Sequence, residues 1–204
     1  MNLDVKKKKK KEALFTAAFD LFSTKGIKST SISDIANKAK IAKGTFYLYF
    51  KDKFDLRDKL VAEKAKRVLV DALEDTGVNK GDKKLSVEDE VILIVDSILE
   101  RMKNEPNLLR FITKNLSWGI FQTMVLGSDD GENMTFYDEY HSMLDKSGRK
   151  FRNPDLLLYM VVELISGCSY QVILQGTPVT LDELKPDLFQ TIKDMIARQE
   201  IAEK

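Results

Sequence analysis

One eight-residue segment of the chain reads Lys-Gly-Thr-Phe-Tyr-Leu-Tyr-Phe and combines side chains that can contact a nucleic acid. Lys43 supplies positive charge, and Gly44 lets the backbone approach a phosphate closely. Thr45 offers a hydroxyl and a methyl group to the edge of a base. Tyr47 and Tyr49 can direct their hydroxyls at phosphates while their rings rest on protein. The segment therefore predicts a surface that contacts double-stranded DNA.

The residue types needed for enzymatic and metal chemistry are scarce. Among 204 residues there is one cysteine, Cys168, and one histidine, His141. Cys-rich zinc sites and His-based metal sites need more of these side chains, and the sequence contains no Ser/Cys–His motif and no glycine-rich phosphate loop. We expect no catalytic site, no metal site and no cofactor, although turnover of a substrate would revive an enzymatic interpretation. The start of the chain is polar and basic with no apolar stretch behind it, which predicts a cytoplasmic protein.

The elements around this segment follow helical spacing of apolar residues. The first helix ends at Gly26, a typical C-terminal glycine. Ser31 and Asp34 form a pair like a capping box at the start of the second helix. A short break at 40–42 leads to a third helix over 43–50. Two short helices joined by a tight turn predict a helix-turn-helix, whose second helix enters the DNA major groove.

A fourth helix joins this head to the rest of the chain. Asp52 is its predicted cap, and it runs to about Asp75, before a polar linker at 76–86. We therefore predict a DNA-binding domain over 1–53 and a larger helical domain over 54–204. The whole chain is expected to be all-α, with about nine helices.

Charge is distributed unevenly between these two parts. Residues 1–53 hold 13 lysines and 5 acidic residues, whereas the whole chain has a net charge of +1. A basic head on an acidic body predicts a polyanionic partner for the head alone. Six consecutive lysines occupy 6–11, and we expect residues 1–10 to be a disordered arm. An alternative is that these lysines add phosphate contacts. A membrane role is disfavoured, because lysines at consecutive positions leave no apolar helix face.

The stretch from Lys11 to Leu56 resembles the DNA-binding domain of the TetR family of bacterial transcriptional regulators. The matching elements are A-A-x-x-L-F-x-x-x-G at 17–26, T-S-I-x-D-I-A at 30–36, K-G-T-F-Y-x-Y-F at 43–50, then Lys53 and Leu56. The resemblance implies a homodimer that binds a palindromic operator as a repressor and releases it when a small-molecule effector enters the C-terminal domain. An activator or ligand-requiring regulator of the same fold, or a non-specific architectural DNA binder, stays open as an alternative.

The resemblance also implies which residues contact DNA, and those residues are Thr30, Ser31, Lys43, Gly44, Thr45, Tyr47, Tyr49 and Lys53. Three positions depart from the family pattern. Lys40 stands at a turn position that is usually glycine, so we expect a left-handed backbone there. Ala42 replaces the usual hydroxyl cap of the third helix. Leu48 takes a position that is more often polar or aromatic, so the operator sequence cannot be deduced.

The segment Leu156–Leu174 is apolar on almost every side. Its length approaches that of a membrane span, but Glu163 near its middle would be costly in lipid. We expect a buried helix that pairs with the last helix, whose apolar side includes Leu188 and Ile192, in half of a four-helix dimer interface. The alternative is that both helices close the core of one protomer.

Candidate residues for an effector pocket are flexible, aromatic or polar groups of the body: Met102, Phe111, Trp118, Phe121, Met124, Tyr137, His141 and Glu163. The apolar ones are equally typical of a core, and His141 of a structural role. A carboxylate such as Glu163 in an apolar helix would either anchor a ligand or find a partner at the dimer interface.

Overall fold

A computed structural model of the chain describes residues 3–78, 85–117, 119–121 and 136–201, with side chains from residue 5 onward. Nine helices have both ends within these ranges: α1 Leu3–Thr24, α2 Ile32–Lys38, α3 Lys43–Phe46, α4 Lys53–Thr76, α5 Val87–Asn104, α6 Pro106–Asn115, α7 Phe136–Lys146, α8 Pro154–Gln175 and α9 Leu181–Gln199. The described part of the chain has no β-strand, only an isolated antiparallel bridge between Phe151 and Glu200. The predicted all-α fold is confirmed.

Two predicted caps fix the helix starts around the head. Ser31 Oγ accepts a hydrogen bond from the Asp34 backbone N–H at 3.1 Å, and Asp34 Oδ2 accepts one from the Ser31 N–H at 2.9 Å. Asp52 Oδ1 accepts from the backbone N–H groups of Phe54 and Asp55 at 2.7 and 2.8 Å. These hydrogen bonds from backbone N–H groups lower the pKa of both carboxyls. Each cap satisfies donors that a helix start leaves unpaired.

The lysines at 6–11 are not a disordered arm. They lie inside α1, which begins at Leu3. Lysine is a good helix former, and a helix extends cheaply once its first turn exists. The turns that contain the buried Leu14 and Ala18 provide that start.

Helix α4 belongs to two cores at once. Its residues Leu56, Leu60 and Val61 are fully buried against α1, α2 and α3, in the core of the head. Further along, Leu69 packs into the core of the body. The head's core therefore extends past the proposed boundary at residue 53, and one rigid helix joins the two parts.

The two C-terminal helices are covered to different degrees. In α9, Leu188, Ile192 and Ile196 are buried in the protomer's own core, which corrects the prediction that this side forms a dimer interface. Helix α8 is long and apolar enough to cross a membrane by length and composition alone, with a mean hydropathy of 1.6 in its most apolar window. Only 28% of that window is buried in the protomer. Much of the apolar surface of α8 thus remains uncovered.

Candidate nucleic-acid interface

The turn between α2 and α3 depends on one unusual backbone conformation. Lys40 has φ 56°, in the left-handed region, as its place in the sequence predicts. Its N–H donates to Asn37 O at 3.1 Å, and the next N–H, of Ile41, donates to Ala36 O at 2.9 Å. A non-glycine residue pays about 1 kcal/mol for this conformation. These hydrogen bonds turn the chain tightly enough to set α3 across α2.

Two phenylalanines fix the orientation of α3. Phe46 and Phe50 are buried, with ring centroids 5.6 Å apart, and Phe50 also packs on Phe15 of α1 at 5.4 Å. The α-helix itself ends at Phe46, earlier than the predicted residue 50. Beyond it the chain continues in tight turns, with the Leu48 N–H donating to Thr45 O at 3.2 Å. Residues 43–50, here called the recognition segment, therefore present one side to the core and the other to solvent.

The solvent side of the recognition segment carries the residues predicted to touch DNA. Lys43 and Gly44 are exposed, and Thr45 is half-buried. The Tyr47 side chain is 53% exposed and packs edge-to-face on Phe46, with centroids 5.5 Å apart. Tyr49 is half-buried. Within the described residues, neither phenol hydroxyl has a hydrogen-bond partner, so both can donate to a phosphate oxygen.

Leu48 lies at the outermost point of this surface. It is 75% exposed, more than any other large apolar side chain in the described ranges. A leucine in this position gains nothing from the protein's own packing. Contact with the methyl group of a thymine would remove its apolar surface from water.

Gly44 is not required by the fold. A Cβ placed there would meet no atom within 4 Å, and its φ lies outside the left-handed region. Glycine also weakens a helix relative to alanine. A glycine at this exposed point is therefore costly for the free protein and useful for a close approach of the backbone to a ligand.

Two of the predicted DNA contacts are engaged elsewhere. Thr30 is only 1% exposed, and its hydroxyl donates to Gly26 O at 2.8 Å, so the side chain cannot reach a phosphate. Ser31, the other residue predicted at the start of α2, is exposed, although its hydroxyl also donates to Asp34 Oδ2 at 2.8 Å.

Lys53 is the second predicted DNA contact whose side chain is engaged within the protein. Its ammonium donates hydrogen bonds to the carbonyl oxygens of Ile27 at 2.9 Å, Lys28 at 3.2 Å and Thr30 at 2.9 Å. All three of its N–H donors are used within the protein. Lys53 thus ties the start of α4 to the turn before α2. No local pattern signals this role, because the partners lie 23 to 26 residues away in the sequence.

The helix-turn-helix region over 25–51 carries exposed lysines. They include Lys25, Lys28, Lys40, Lys43 and Lys51, whereas the exposed Lys38 pairs with Asp20. In the part of the chain that the structure describes, none of these five forms an ion pair. Their charge is available to an anionic partner, as phosphate binding requires.

An apolar cavity lies in the body between α4, α5, α7, α8 and α9. The centres of water-sized spheres can occupy about 70 Å³ of it, and its empty space is about 730 Å³ when the open solvent at its mouth is included. Seventeen of its nineteen lining residues are apolar: Leu69, Leu73, Val78, Val87, Val91, Ile94, Val95, Ile98, Phe136, Met143, Leu144, Leu157, Leu158, Val161, Val162, Ile165 and Ile196. The other two are Glu139 and Tyr140, and the Tyr140 hydroxyl donates to Pro154 O at 2.8 Å. Burial raises the pKa of that tyrosine.

None of the predicted pocket residues that the structure describes lines this cavity. Met102 packs with α4 and α6, and Phe111 lies in the head's core, with its ring centroid 5.3 Å from that of Phe19. Phe121 and Glu163 line a separate groove, and Glu163 is exposed.

Of the other four residues predicted to line an effector pocket, two join helices and two are not described. Tyr137 Oη donates to Asp155 Oδ1 at 2.8 Å, and His141 Nε2 lies 3.2 Å from the same oxygen, so these two residues hold α7 against the start of α8. Trp118 and Met124 lie outside the described residues.

Residues 11–60 match the family model described as bacterial regulatory proteins, tetR family. The chain is 29% identical over 137 residues to YvdT of Bacillus subtilis strain 168, an uncharacterized HTH-type transcriptional regulator. That alignment covers 67% of this chain and 64% of YvdT. The chain thus spans less than two thirds of that relative's length.

Solved structures share the fold over nearly the whole chain. A TetR family transcription regulator from Marinobacter aquaeolei VT8 has a TM-score of 0.65 and 18% identity, covering 95% of this chain and 98% of that one. The transcriptional regulator FadR of Bacillus subtilis, in complex with stearoyl-CoA, has a TM-score of 0.60 and 19% identity, covering 89% and 96%. Identity this low shows a common fold and no more.

Proposed function

We propose that the chain is a regulator of the tetR type, as the family match over residues 11–60 indicates, and that it binds specific DNA sites in the bacterial cytoplasm and represses transcription there. The observation that carries this function is the recognition segment. Its two phenylalanines hold it against the head, while Lys43, Gly44 and Tyr47 face solvent among unpaired lysines. Such a surface can enter a major groove and contact both phosphates and bases.

A homodimer would present two such heads, and its interface would lie on α8. The exposed residues of α8 recur at helical spacing and include Leu156, Tyr159, Glu163 and Gly167. A second copy of the same face would cover the apolar surface that one protomer leaves open. Glu163 is then assigned to the interface rather than to the effector cavity. Two heads in a symmetric dimer reach major grooves one DNA turn apart, about 34 Å, which requires a palindromic site.

The cavity in the body supplies a route for an effector. Helix α4 lines it through Leu69 and Leu73, and the same helix holds the head through Leu56 and Leu60. A small molecule that prefers a different position of α4 would shift the spacing of the two heads and release DNA. The shift is limited by the difference in the ligand's affinity for the two conformations.

Selection of bound fragments from genomic DNA tests the proposed function. At near-physiological salt, we expect wild-type protein to enrich a palindromic site whose half-sites lie about one turn apart. The Lys43→Ala/Tyr47→Ala variant should lose that enrichment, because it removes a charge and a ring from the exposed side of the recognition segment. Enrichment of no site by wild type, or of the same site by the variant, would contradict the proposal.

We expect the effector to be an apolar molecule whose polar end is not anionic. The cavity is lined mainly by aliphatic side chains, and Glu139 is the one charged residue among its described lining residues. Decanol and decyltrimethylammonium should raise the melting temperature more than decanoate, whose carboxylate would face that of Glu139. A free ligand concentration of ten times its Kd stabilises the folded protein by about 1.4 kcal/mol, which raises the melting temperature by roughly 3–6 °C for a chain of this size.

Two variants control this measurement. Val161→Phe fills the cavity and should abolish the shift for all three amphiphiles, and Glu139→Gln should remove the disadvantage of decanoate. If the amphiphiles raise the melting temperatures of wild type and Val161→Phe equally, they bind outside this cavity. A larger shift with decanoate than with decanol would contradict the role given to Glu139.

A further inference from the structure

The lysine segment, Lys6–Lys11, is part of a helix that belongs to the head. Helix α1 runs unbroken from Leu3 to Thr24, and Leu14, Ala18 and Leu21 of its second half are buried in the head's core. All six lysines are exposed. The segment is therefore held in a fixed direction by the same core that positions the recognition segment.

The C-terminal end of the lysine segment, Lys11, lies near the end of the recognition segment. Phe50 closes the recognition segment, and its ring centroid lies 5.4 Å from that of Phe15 in α1. Lys11 Nζ lies 5.6 Å from the centroid of the same Phe15 ring. Residues four, seven and eight positions before Phe15 share its side of the helix, and these are Lys11, Lys8 and Lys7. A row of three charges thus extends about 6 Å along α1, at 1.5 Å per residue, outward from the recognition segment.

Among the described side chains, none forms an ion pair with any of the six lysines. Pairs four residues apart, such as Lys7 with Lys11, repel each other and weaken the helix by a few tenths of a kcal/mol each. A bound polyanion would reduce this repulsion between lysines, and its own negative charges would attract them.

We propose that the lysine segment is a second DNA-binding surface, which contacts backbone phosphates beyond the bases that the recognition segment reads. The proposal shares its partner with the proposed function and rests on it for the placement of the head. DNA suits the segment because lysines that surround the helix need only phosphates, which lie along the whole duplex. An anionic membrane suits it less, since Val5 is the one apolar residue among residues 5–11 and the six consecutive lysines leave no apolar face.

The test is the salt dependence of binding to a duplex of random sequence. A Lys7→Gln/Lys8→Gln/Lys11→Gln variant is compared with wild type by fluorescence anisotropy on a 30-base-pair duplex of arbitrary sequence. Loss of about three phosphate contacts per head should reduce the slope of log K against log salt by about 2–3 for each head that contacts the duplex, and lower affinity at least ~10-fold at low salt. Glutamine is also a good helix former, and circular dichroism checks that α1 persists.

A matched variant removes the same charge from the body. Lys66→Gln/Lys103→Gln/Lys146→Gln changes three exposed lysines outside the head and should leave the slope unchanged. An equal loss in both variants would show that net charge alone matters and would overturn the proposal. So would an unchanged slope in the Lys7/Lys8/Lys11 variant. Binding to phosphatidylglycerol vesicles that this variant loses, together with an unchanged DNA slope, would assign the segment to a membrane.

These outcomes are separable from those of the proposed function. A lysine-dependent slope without any selected genomic site would retain this surface and overturn sequence-specific regulation. A selected site whose preference over random DNA survives in the Lys7/Lys8/Lys11 variant, with a reduced slope, supports both.

Discussion

Lys53→Met is expected to lower the free energy of unfolding by about 2–3 kcal/mol and to weaken DNA binding at least ~10-fold. The ammonium of Lys53 holds three backbone carbonyl oxygens of the turn before α2, at 2.9–3.2 Å. Methionine keeps the apolar stem and leaves those oxygens without their charged donor. The turn then loses its link to α4, and the helix-turn-helix loses a fixed position relative to the rest of the head.

Urea unfolding and anisotropy titration measure the two effects separately. Lys51→Met is the matched control, because Lys51 is an exposed lysine two residues away whose ammonium has no ion-pair partner in the described structure. We expect it to retain wild-type stability and to lose only the weak binding that one surface charge contributes. Equal stability of the two variants would show that the Lys53 hydrogen bonds do not hold the turn.

Gly44→Ala is expected to reduce affinity for the selected site by roughly 10- to 100-fold while stability is unchanged or rises by up to about 1 kcal/mol. The added methyl group meets no atom of the protein within 4 Å, so the free protein accepts it. Against DNA the same methyl group would occupy the space between the α3 backbone and a phosphate or base edge. Opposite signs for stability and binding distinguish a contact surface from a damaged fold.

Melting temperature and Kd of this variant are measured on the same preparation. Unchanged affinity would mean that DNA does not approach Gly44 and that the orientation assigned to α3 is wrong. Reduced affinity together with reduced stability would assign the effect to the fold instead.

Local chemistry in the sequence determines much of the head. The reciprocal cap of Ser31 and Asp34, the cap at Asp52 and the left-handed Lys40 all depend on residues within five positions of each other, and all are predictable. The length of α3 is harder to predict from the sequence. Its α-helix is four residues long, and the turns after it satisfy the backbone almost as well.

Contacts between distant residues account for what the sequence does not reveal. Burial of Thr30 and the three hydrogen bonds of Lys53 depend on how α1, α2 and α4 pack together. The sequence does not reveal the cavity for the same reason. Leucine, isoleucine and valine from five helices line it, and these residue types fill the core equally. Aromatic and polar side chains such as Phe111 and Tyr137 carry a stronger signal in the sequence but serve packing and helix–helix contacts instead.

Sequence-specific recognition by the exposed side of the recognition segment is tested most directly by a specificity ratio. Kd is measured at about 150 mM salt for the selected palindromic fragment and for the same fragment with its half-sites scrambled. A regulator is expected to prefer the intact site by at least ~10³, a preference that Lys43→Ala/Tyr47→Ala should largely remove. A ratio near one, with both fragments bound through a steep salt dependence, would contradict the account and describe a non-specific binder held by its lysines.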